Sequence, residues 1–326
     1  MNACVLHKVG DLRYEQVPNP VRKQGEVLVK IKASGICGSD IARVFEKGTY
    51  NFPTIPGHEF GGEIVEADDI KLVGKRCAVF PLIPCRICAN CQTEHYAQCS
   101  DYNYFGSRCD GGFAEFISVP MWNVVLAPDD LSYENIALTE PCAVALHSLE
   151  RAELPVGTSV CVIGAGPIGI MIGKWARLKG SSKVSLIDID KRKIEFASNL
   201  GFETEINGKY DVVIEGTGSS SGLESAILAA RTFGTVVLMG NPAKEMTMSQ
   251  KTYWAILREE LILKGAWNSS YALGKNDWAA SLEHMKQLDL SCLVTHKFSF
   301  DKHADAFSVI REAKEFVSKV MFINRN

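Results

Sequence analysis

Cys85, Cys88, Cys91 and Cys99 stand in the pattern C-x2-C-x2-C-x7-C, in a stretch that also holds Pro84, Asn90 and Gln92. Four thiolates close a tetrahedron around zinc and leave no open position, so residues 84–100 read as a structural metal lobe. An iron–sulfur cluster also takes four thiolates, but its usual spacings differ from this one. His95, inside the lobe, reads as a surface bystander. A second set is looser: Cys37 in Gly35-Ile-Cys-Gly-Ser-Asp40, and His58-Glu59 in Pro56-Gly-His-Glu-Phe60. One thiolate, one imidazole and one carboxylate suit a catalytic zinc with an open position. A buried thiol, a packed imidazole and a solvated carboxylate account for the same three residues equally well. Glu140 lies in an otherwise apolar helical stretch, Ile136 to His147, where a charge needs a partner and a metal would be one. Cys142 and His147 read as core fillers.

A third constellation is glycine-rich. In Val160-Cys-Val-Ile-Gly-Ala-Gly-Pro-Ile-Gly169 the glycines 164, 166 and 169 give G-x-G-x-x-G, with Pro167 and Ile168 opening a helix. The run before it is β-branched and the pattern after it is helical. A second strand then ends at Asp188, about 20 residues on. That order predicts a dinucleotide site: a tight turn, backbone approach to a pyrophosphate, and a helix N-terminus facing the phosphates. Asp188 would accept from a ribose 2′-hydroxyl, which favours NAD. Lys191 and Arg192 beside it leave NADP open, with Arg192 as a cofactor contact.

These residues need elements to hold them. Residues 1 to about 35 alternate apolar and polar around Pro18, Pro20 and Gly25, and read as short antiparallel strands. From 159 the rhythm becomes strand–helix–strand, with strands at 159–163, 184–188, 211–215, 235–240 and 261–266. Helices fall at about 190–200, 221–231, 249–258 and 276–288. This predicts an α/β chain: a β-rich domain at 1–150 and 291–326, and a doubly wound parallel sheet at 151–290. Ligands of such sheets sit at the carboxyl ends of strands. Gly216, Thr217, Gly240 and Asn241 therefore join the predicted cofactor site.

The 326 residues are 46% hydrophobic and 22% charged, with net charge −3. Nothing there suggests nucleic acid or an anionic membrane as partner. No apolar run approaches a membrane span, and the first residues lack the pattern of a signal peptide. A cytoplasmic location is expected, where eleven cysteines argue for metal or free thiols over disulfides.

With these residues in place the chain resembles the zinc-dependent medium-chain dehydrogenases, nearly end to end. The likeness rests on Gly35-Ile-Cys-Gly-Ser-Asp40, Gly57-His-Glu59, the four-cysteine lobe, Glu140-Pro141 and Gly164-Ala-Gly-Pro-Ile-Gly169. Glu140-Pro141 is similar to the polyol (sorbitol-like) branch. The resemblance implies a GroES-like catalytic domain plus a Rossmann domain. It implies two zinc ions per chain and NAD, with Cys37, His58, Glu59 and Glu140 around the catalytic zinc. It also implies Ser39 as first member of a proton relay and Asp40 as partner of His58. The expected reaction is oxidation of a secondary alcohol of a polyol or polyol phosphate to the ketone, in a homodimer or homotetramer. Arg43, Lys47 and Arg108 are candidate phosphate contacts, though solvated surface charges would explain each as well. An unphosphorylated polyol or diol dehydrogenase is the alternative, and a nucleotide sensor holding only the structural zinc is an alternative of another class. A relay histidine of some relatives is replaced by Ala42.

Overall fold

A computed structural model describes residues 1–324. They fall into two compact units: Met1–Glu140 together with the chain from Ser270 onward, and Pro141–Ser269.

In the first unit β1 (Asn2–Lys8) and β2 (Asp11–Gln16) form an antiparallel hairpin. In β3 (Glu26–Gly35) Val27, Val29, Ile31 and Ala33 are buried while Leu28, Lys30 and Lys32 are only partly so, as a two-residue period requires. A short α1 (Gly38–Ala42) follows and runs into a π-turn over Arg43–Lys47. β4 (Glu59–Glu66) then returns antiparallel to β3, and β5 (Arg76–Val79) pairs with β4. The cysteine-rich lobe, with its single-turn α2 (Ala89–Gln92), is a loop between two short paired strands, β6 (Leu82–Ile83) and β7 (Asn103–Tyr104). β8 (Phe116–Pro120), β9 (Val124–Leu126) and α3 (Tyr133–Ala137) complete this stretch, and α4 (Thr139–Glu150) starts in it and continues as the first element of the second unit.

The second unit alternates: β10 (Ser159–Ile163), α5 (Pro167–Leu178), β11 (Lys183–Ile187), α6 (Lys191–Asn199), β12 (Tyr210–Glu215), α7 (Ser220–Ala229), β13 (Ala230–Leu238), α8 (Gln250–Arg258) and β14 (Ile262–Gly265). All five strands are parallel, in the order β11-β10-β12-β13-β14. Val160 to Ile163 and Val212 to Ile214 are buried throughout, the continuous apolar pattern of strands covered on both faces. The chain leaves β10 to one side for β11 and then crosses to the other for β12, so the carboxyl end of β10 is the switch point at which such sheets bind ligands.

After Ser270 the chain rejoins the first unit as α9 (Asp277–Leu288), β15 (Val294–Phe298), α10 (His303–Glu312) and β16 (Lys319–Ile323). The large sheet runs β15-β16-β3-β4-β5-β9, with β8 also on β3. The sequence pattern assigned residues 276–288 to the nucleotide-binding part; α9 instead belongs to the first unit. The cause is aromatic packing. Trp278 meets Phe80 edge to face at 5.5 Å, and Phe80 stacks on Tyr271 at 4.5 Å. The Tyr271 hydroxyl donates to the Trp122 carbonyl at 3.0 Å. Likewise β13 begins at Ala230, which pairs with Tyr210, five residues before the expected strand. No helix of the described residues is long and apolar enough to cross a membrane.

Candidate metal centres and dinucleotide site

The start of α1 arranges one end of the first unit. The Cys37 N–H donates to Asp40 Oδ2 at 3.0 Å, so the capping carboxylate is folded back on the helix entry. Asp40 is fully buried, and its Oδ1 lies 3.4 Å from Nδ1 of buried His58. Burial would push the Asp40 carboxyl up, but His58 and Arg43 beside it hold it below the usual carboxylate range. Burial would push His58 down, but the Asp40 carboxylate and Cys37 raise it well above an ordinary imidazole. With Nδ1 turned to Asp40, Nε2 is the face left for a ligand.

Glu59 opens β4 opposite Gly35 of β3. A Cβ on Gly35 would stand 2.3 Å from Glu59 Oε2, so glycine there leaves the space the carboxylate fills. One ligand atom each from Cys37, His58 and Glu59 lies within 4.8 Å of the others. A thiolate, an imidazole and a carboxylate gathered so closely fit a zinc that keeps a position open.

Glu140 stays outside that trio of ligand atoms. It is buried, at 7% exposure, and its carboxyl is pushed up to about 7, chiefly by burial, with Glu59 adding to the shift and His58 opposing it. Ser39 is next to Cys37, and its Oγ accepts from Arg43 Nη1 at 2.9 Å. The same Nη1 donates to Asp40 Oδ1 at 3.0 Å and lies 3.3 Å from His58 Nδ1. Arg43, expected on the sequence to reach outward for phosphate, is instead turned in on the Ser39–Asp40 corner.

Two further residues belong to this end of the unit. Lys319 of β16, 5% exposed, donates to both carboxylate oxygens of Glu59, at 2.8 and 2.7 Å. Its signal was a lysine heading the apolar run Val320-Met-Phe-Ile323, the same kind of lone charge that singled out Glu140. Tyr104, at the end of β7, carries its ring 5.8 Å from the His58 ring. Burial, with Glu140 adding to it, raises the Tyr104 phenol well above its ordinary range. Nothing in the sequence around Tyr104 marked it.

The four cysteines of the lobe converge. Their sulfurs lie within 4.8 Å of one another, with Cys85 and Cys91 3.9 Å apart and Cys88 and Cys99 4.0 Å apart. A tetrahedron with metal–sulfur bonds of about 2.3 Å has edges of about 3.8 Å, so the cage fits zinc. Backbone N–H groups of Cys88 and Cys85 donate to Cys85 Sγ and Cys99 Sγ, at 3.4 and 3.3 Å. The backbone also draws the Cys88 thiol down to about 5, while burial and the neighbouring thiols push Cys91 up to about 12. Four thiolates this close need a cation between them. His95 bonds Thr93 at the surface and takes no part.

In the second unit a cavity of about 600 Å³ opens at the carboxyl ends of β10, β11 and β12. Gly164, Gly166, Pro167, Ile168, Gly169, Asp188, Gly216 and Thr217 line it. A Cβ on Gly169 would stand 1.9 Å from the Gly164 carbonyl oxygen, so glycine lets α5 pack against the turn. Asp188 is fixed by two backbone donors, Ala165 N–H at 3.0 Å and Asp190 N–H at 2.9 Å. Three of the expected contacts are not among the lining residues. Arg192 folds back on Asp190, with Nη2 2.8 Å from Oδ2, and Lys193 takes its place at the wall. Gly240 and Asn241 lie behind, and Met239 faces the cavity instead. The reason is Glu215: its buried carboxylate accepts from the N–H groups of Thr217 at 2.7 Å and Gly218 at 3.0 Å, and Gly240 packs against its other oxygen.

Residues 23–129 match the alcohol dehydrogenase GroES-like domain, and residues 167–287 match the zinc-binding dehydrogenase domain. Galactitol 1-phosphate 5-dehydrogenase of Escherichia coli K12 is 34% identical over 315 residues, 90% of this chain and 91% of the relative. Sorbitol dehydrogenase of Bacillus subtilis is 30% identical over 98% of this chain and 96% of its own. The crystal structure of galactitol-1-phosphate dehydrogenase from Escherichia coli superposes with a TM-score of 0.93 at 32% identity, covering 99% of this chain and 100% of that one. The chain belongs to the zinc-binding medium-chain alcohol dehydrogenases, oxidoreductases of the polyol and alcohol dehydrogenase kind that work with zinc and a nicotinamide dinucleotide.

Proposed function

We propose that the chain oxidises a secondary alcohol of a polyol phosphate to the ketone, with NAD as hydride acceptor. The observation that carries the reaction is the convergence of Cys37, His58 and Glu59 beside Ser39. Zinc held by Cys37, His58 and a carboxylate supplies Lewis acidity, which lowers the proton affinity of an alcohol oxygen. The chain's own residues do the rest. Asp40 orients the His58 ring. Ser39 Oγ, held by Arg43, takes the alcohol proton and passes its own on. Arg43 cannot accept that proton, because a guanidinium stays charged. With Ala42 where some relatives place a histidine, the proton leaves Ser39 for water or the cofactor ribose. NAD held at the glycine turn would supply the hydride acceptor, so that the overall change balances as alcohol plus NAD to ketone, NADH and one proton.

NAD is favoured over NADP by one feature of the cavity and one beside it. Asp188 presents a carboxylate where a 2′-phosphate would have to sit, and Arg192 is paired with Asp190. For the substrate, the likeness to a polyol-phosphate dehydrogenase and an unpaired Arg108 support a phosphorylated polyol. The inward turn of Arg43 supports the second reading, a free polyol or diol, because it removes one of the cations expected to meet phosphate. We place the enzyme in the cytoplasm as a homodimer or homotetramer. Edge strand β14 exposes Ile262 and Leu263, and Trp254, Leu257 and Trp267 of the flanking segments are exposed too, apolar surface that supports a second copy as partner.

Initial rates with NAD on hexitols and their 1-phosphates test the substrate. The proposal expects kcat/KM at least tenfold higher for a phosphorylated hexitol, and equal efficiency on the two would refute it.

A further inference from the structure

We infer that Arg108, clasped between Tyr50 and Tyr102, is the subsite for the phosphate of a phosphomonoester substrate. This rests on the polyol-phosphate reading and deepens it. The guanidinium carbon of Arg108 lies 4.2 Å from the centre of the Tyr50 ring and 4.5 Å from that of Tyr102. Cation–π contact engages the faces of a guanidinium and leaves its in-plane N–H donors for other partners. Here those donors have no hydrogen-bond partner among the described residues. No carboxylate among the described residues pairs with Arg108, and its Nε is a buried donor without an acceptor. The nearby Asp110 is committed elsewhere, accepting from the Ile55 N–H at 2.9 Å. A buried, unpaired donor on an uncompensated cation is costly until an anion arrives. The Nε–Nη fork matches two oxygens of a phosphate.

The place is prepared and close to the reacting centre. The Tyr50 N–H donates to the Ser107 carbonyl at 3.0 Å, and Asn51 Nδ2 donates to the Arg108 carbonyl at 3.0 Å. These bonds tie the loop that carries Tyr50 to the loop that carries Arg108. On the inner side Tyr102 meets Tyr104 edge to face at 6.5 Å, and Tyr104 lies 5.8 Å from His58. Arg108 is therefore two rings removed from the imidazole of the metal trio. Tyr50, 69% exposed, is the outer wall. Arg43 is spent on Ser39 and Asp40, and exposed Lys47 has no such cradle.

The test compares the intact enzyme with Arg108→Met and Arg108→Lys, using a hexitol 1-phosphate, the free hexitol and the corresponding hexonate. Loss of one bidentate charge-assisted contact should cut the phosphate-over-free ratio of kcat/KM by about 10- to 100-fold in Arg108→Met. Arg108→Lys should fall between, since it keeps the charge and loses the fork. Inorganic phosphate should compete with the hexitol phosphate in the wild type and lose that inhibition in Arg108→Met. A ratio unchanged in both variants overturns the assignment. A hexonate preferred over the phosphate, with the same dependence on Arg108, also overturns it. If the wild type does not favour phosphorylated hexitols, the substrate reading fails. The anion site is then judged by calorimetric titration of inorganic phosphate alone: binding lost in Arg108→Met upholds it, and no binding in the wild type sinks it.

Discussion

Lys319→Met tests whether the carboxylate of the metal trio depends on a buried counter-ion. Lys319 Nζ lies 2.8 and 2.7 Å from the two oxygens of Glu59, and the residues are 5% and 1% exposed. Methionine keeps the stem but removes the ammonium, leaving Glu59 charged and buried without its lysine. Removing one member of a buried pair costs about 3–5 kcal/mol. At roughly 2–4 °C per kcal/mol for a body of this size, the melting temperature should fall by roughly 6–20 °C. Glu59→Gln/Lys319→Met buries no charge at this position, so it should recover most of that loss. Differential scanning calorimetry of the metal-stripped wild type, the two single variants and the double variant closes the cycle, because zinc bound at Glu59 would itself neutralise that carboxylate. If the double variant falls by the sum of the single losses, the two residues are not coupled and the counter-ion reading is wrong.

Asp188→Ser removes the carboxylate that lines the dinucleotide cavity and is held by the Ala165 and Asp190 N–H groups. Hydrogen bonds to a charged group contribute about 1.5–3 kcal/mol, so kcat/KM for NAD should drop roughly 10- to 100-fold while that for NADP rises; unchanged NAD kinetics would contradict the assignment. Glu140 titrates near 7 in the folded chain, above the usual 4.5. The folded state therefore holds its proton longer. The stability this contributes is complete below pH about 4.5 and is lost as pH rises through about 7. In metal-stripped protein, urea unfolding across that window should show a smaller decline for Glu140→Gln than for the wild type, and parallel profiles would show that Glu140 is not the group responsible.

Local pattern and distant pairing divide what the sequence could reveal from what it could not. The four-cysteine cage and the glycine fingerprint are short-range: ligands and turn residues lie within a few positions of one another, so spacing alone carries the chemistry. The inner strands β10 and β12 were readable for a similar reason, since burial on both faces leaves the apolar runs Val160–Ile163 and Val212–Ile214. Lys319 reaches Glu59 across 260 positions, and the pairing of β3 with both β16 and β4 brings them together. Arg43 looked like a surface cation, yet Asp40 and Ser39, three and four positions before it, capture it. Arg192 looked like a cofactor contact, yet Asp190 two positions away captures it. Residues 276–288 had the right period for a helix, but no local feature said that Trp278 would meet Phe80, nearly 200 positions earlier. Tyr104 gained its meaning only from the side chains gathered round it.

The most direct test of the account is metal content measured together with alcohol oxidation. The wild type should carry two zinc ions per chain. Cys91→Ala should lose the lobe's zinc, and Cys37→Ala should keep one ion, in the lobe, and oxidise no alcohol. A Cys37→Ala protein that still holds two ions and still reduces NAD with a polyol substrate would contradict the assignment of Cys37, His58 and Glu59 as the reacting centre.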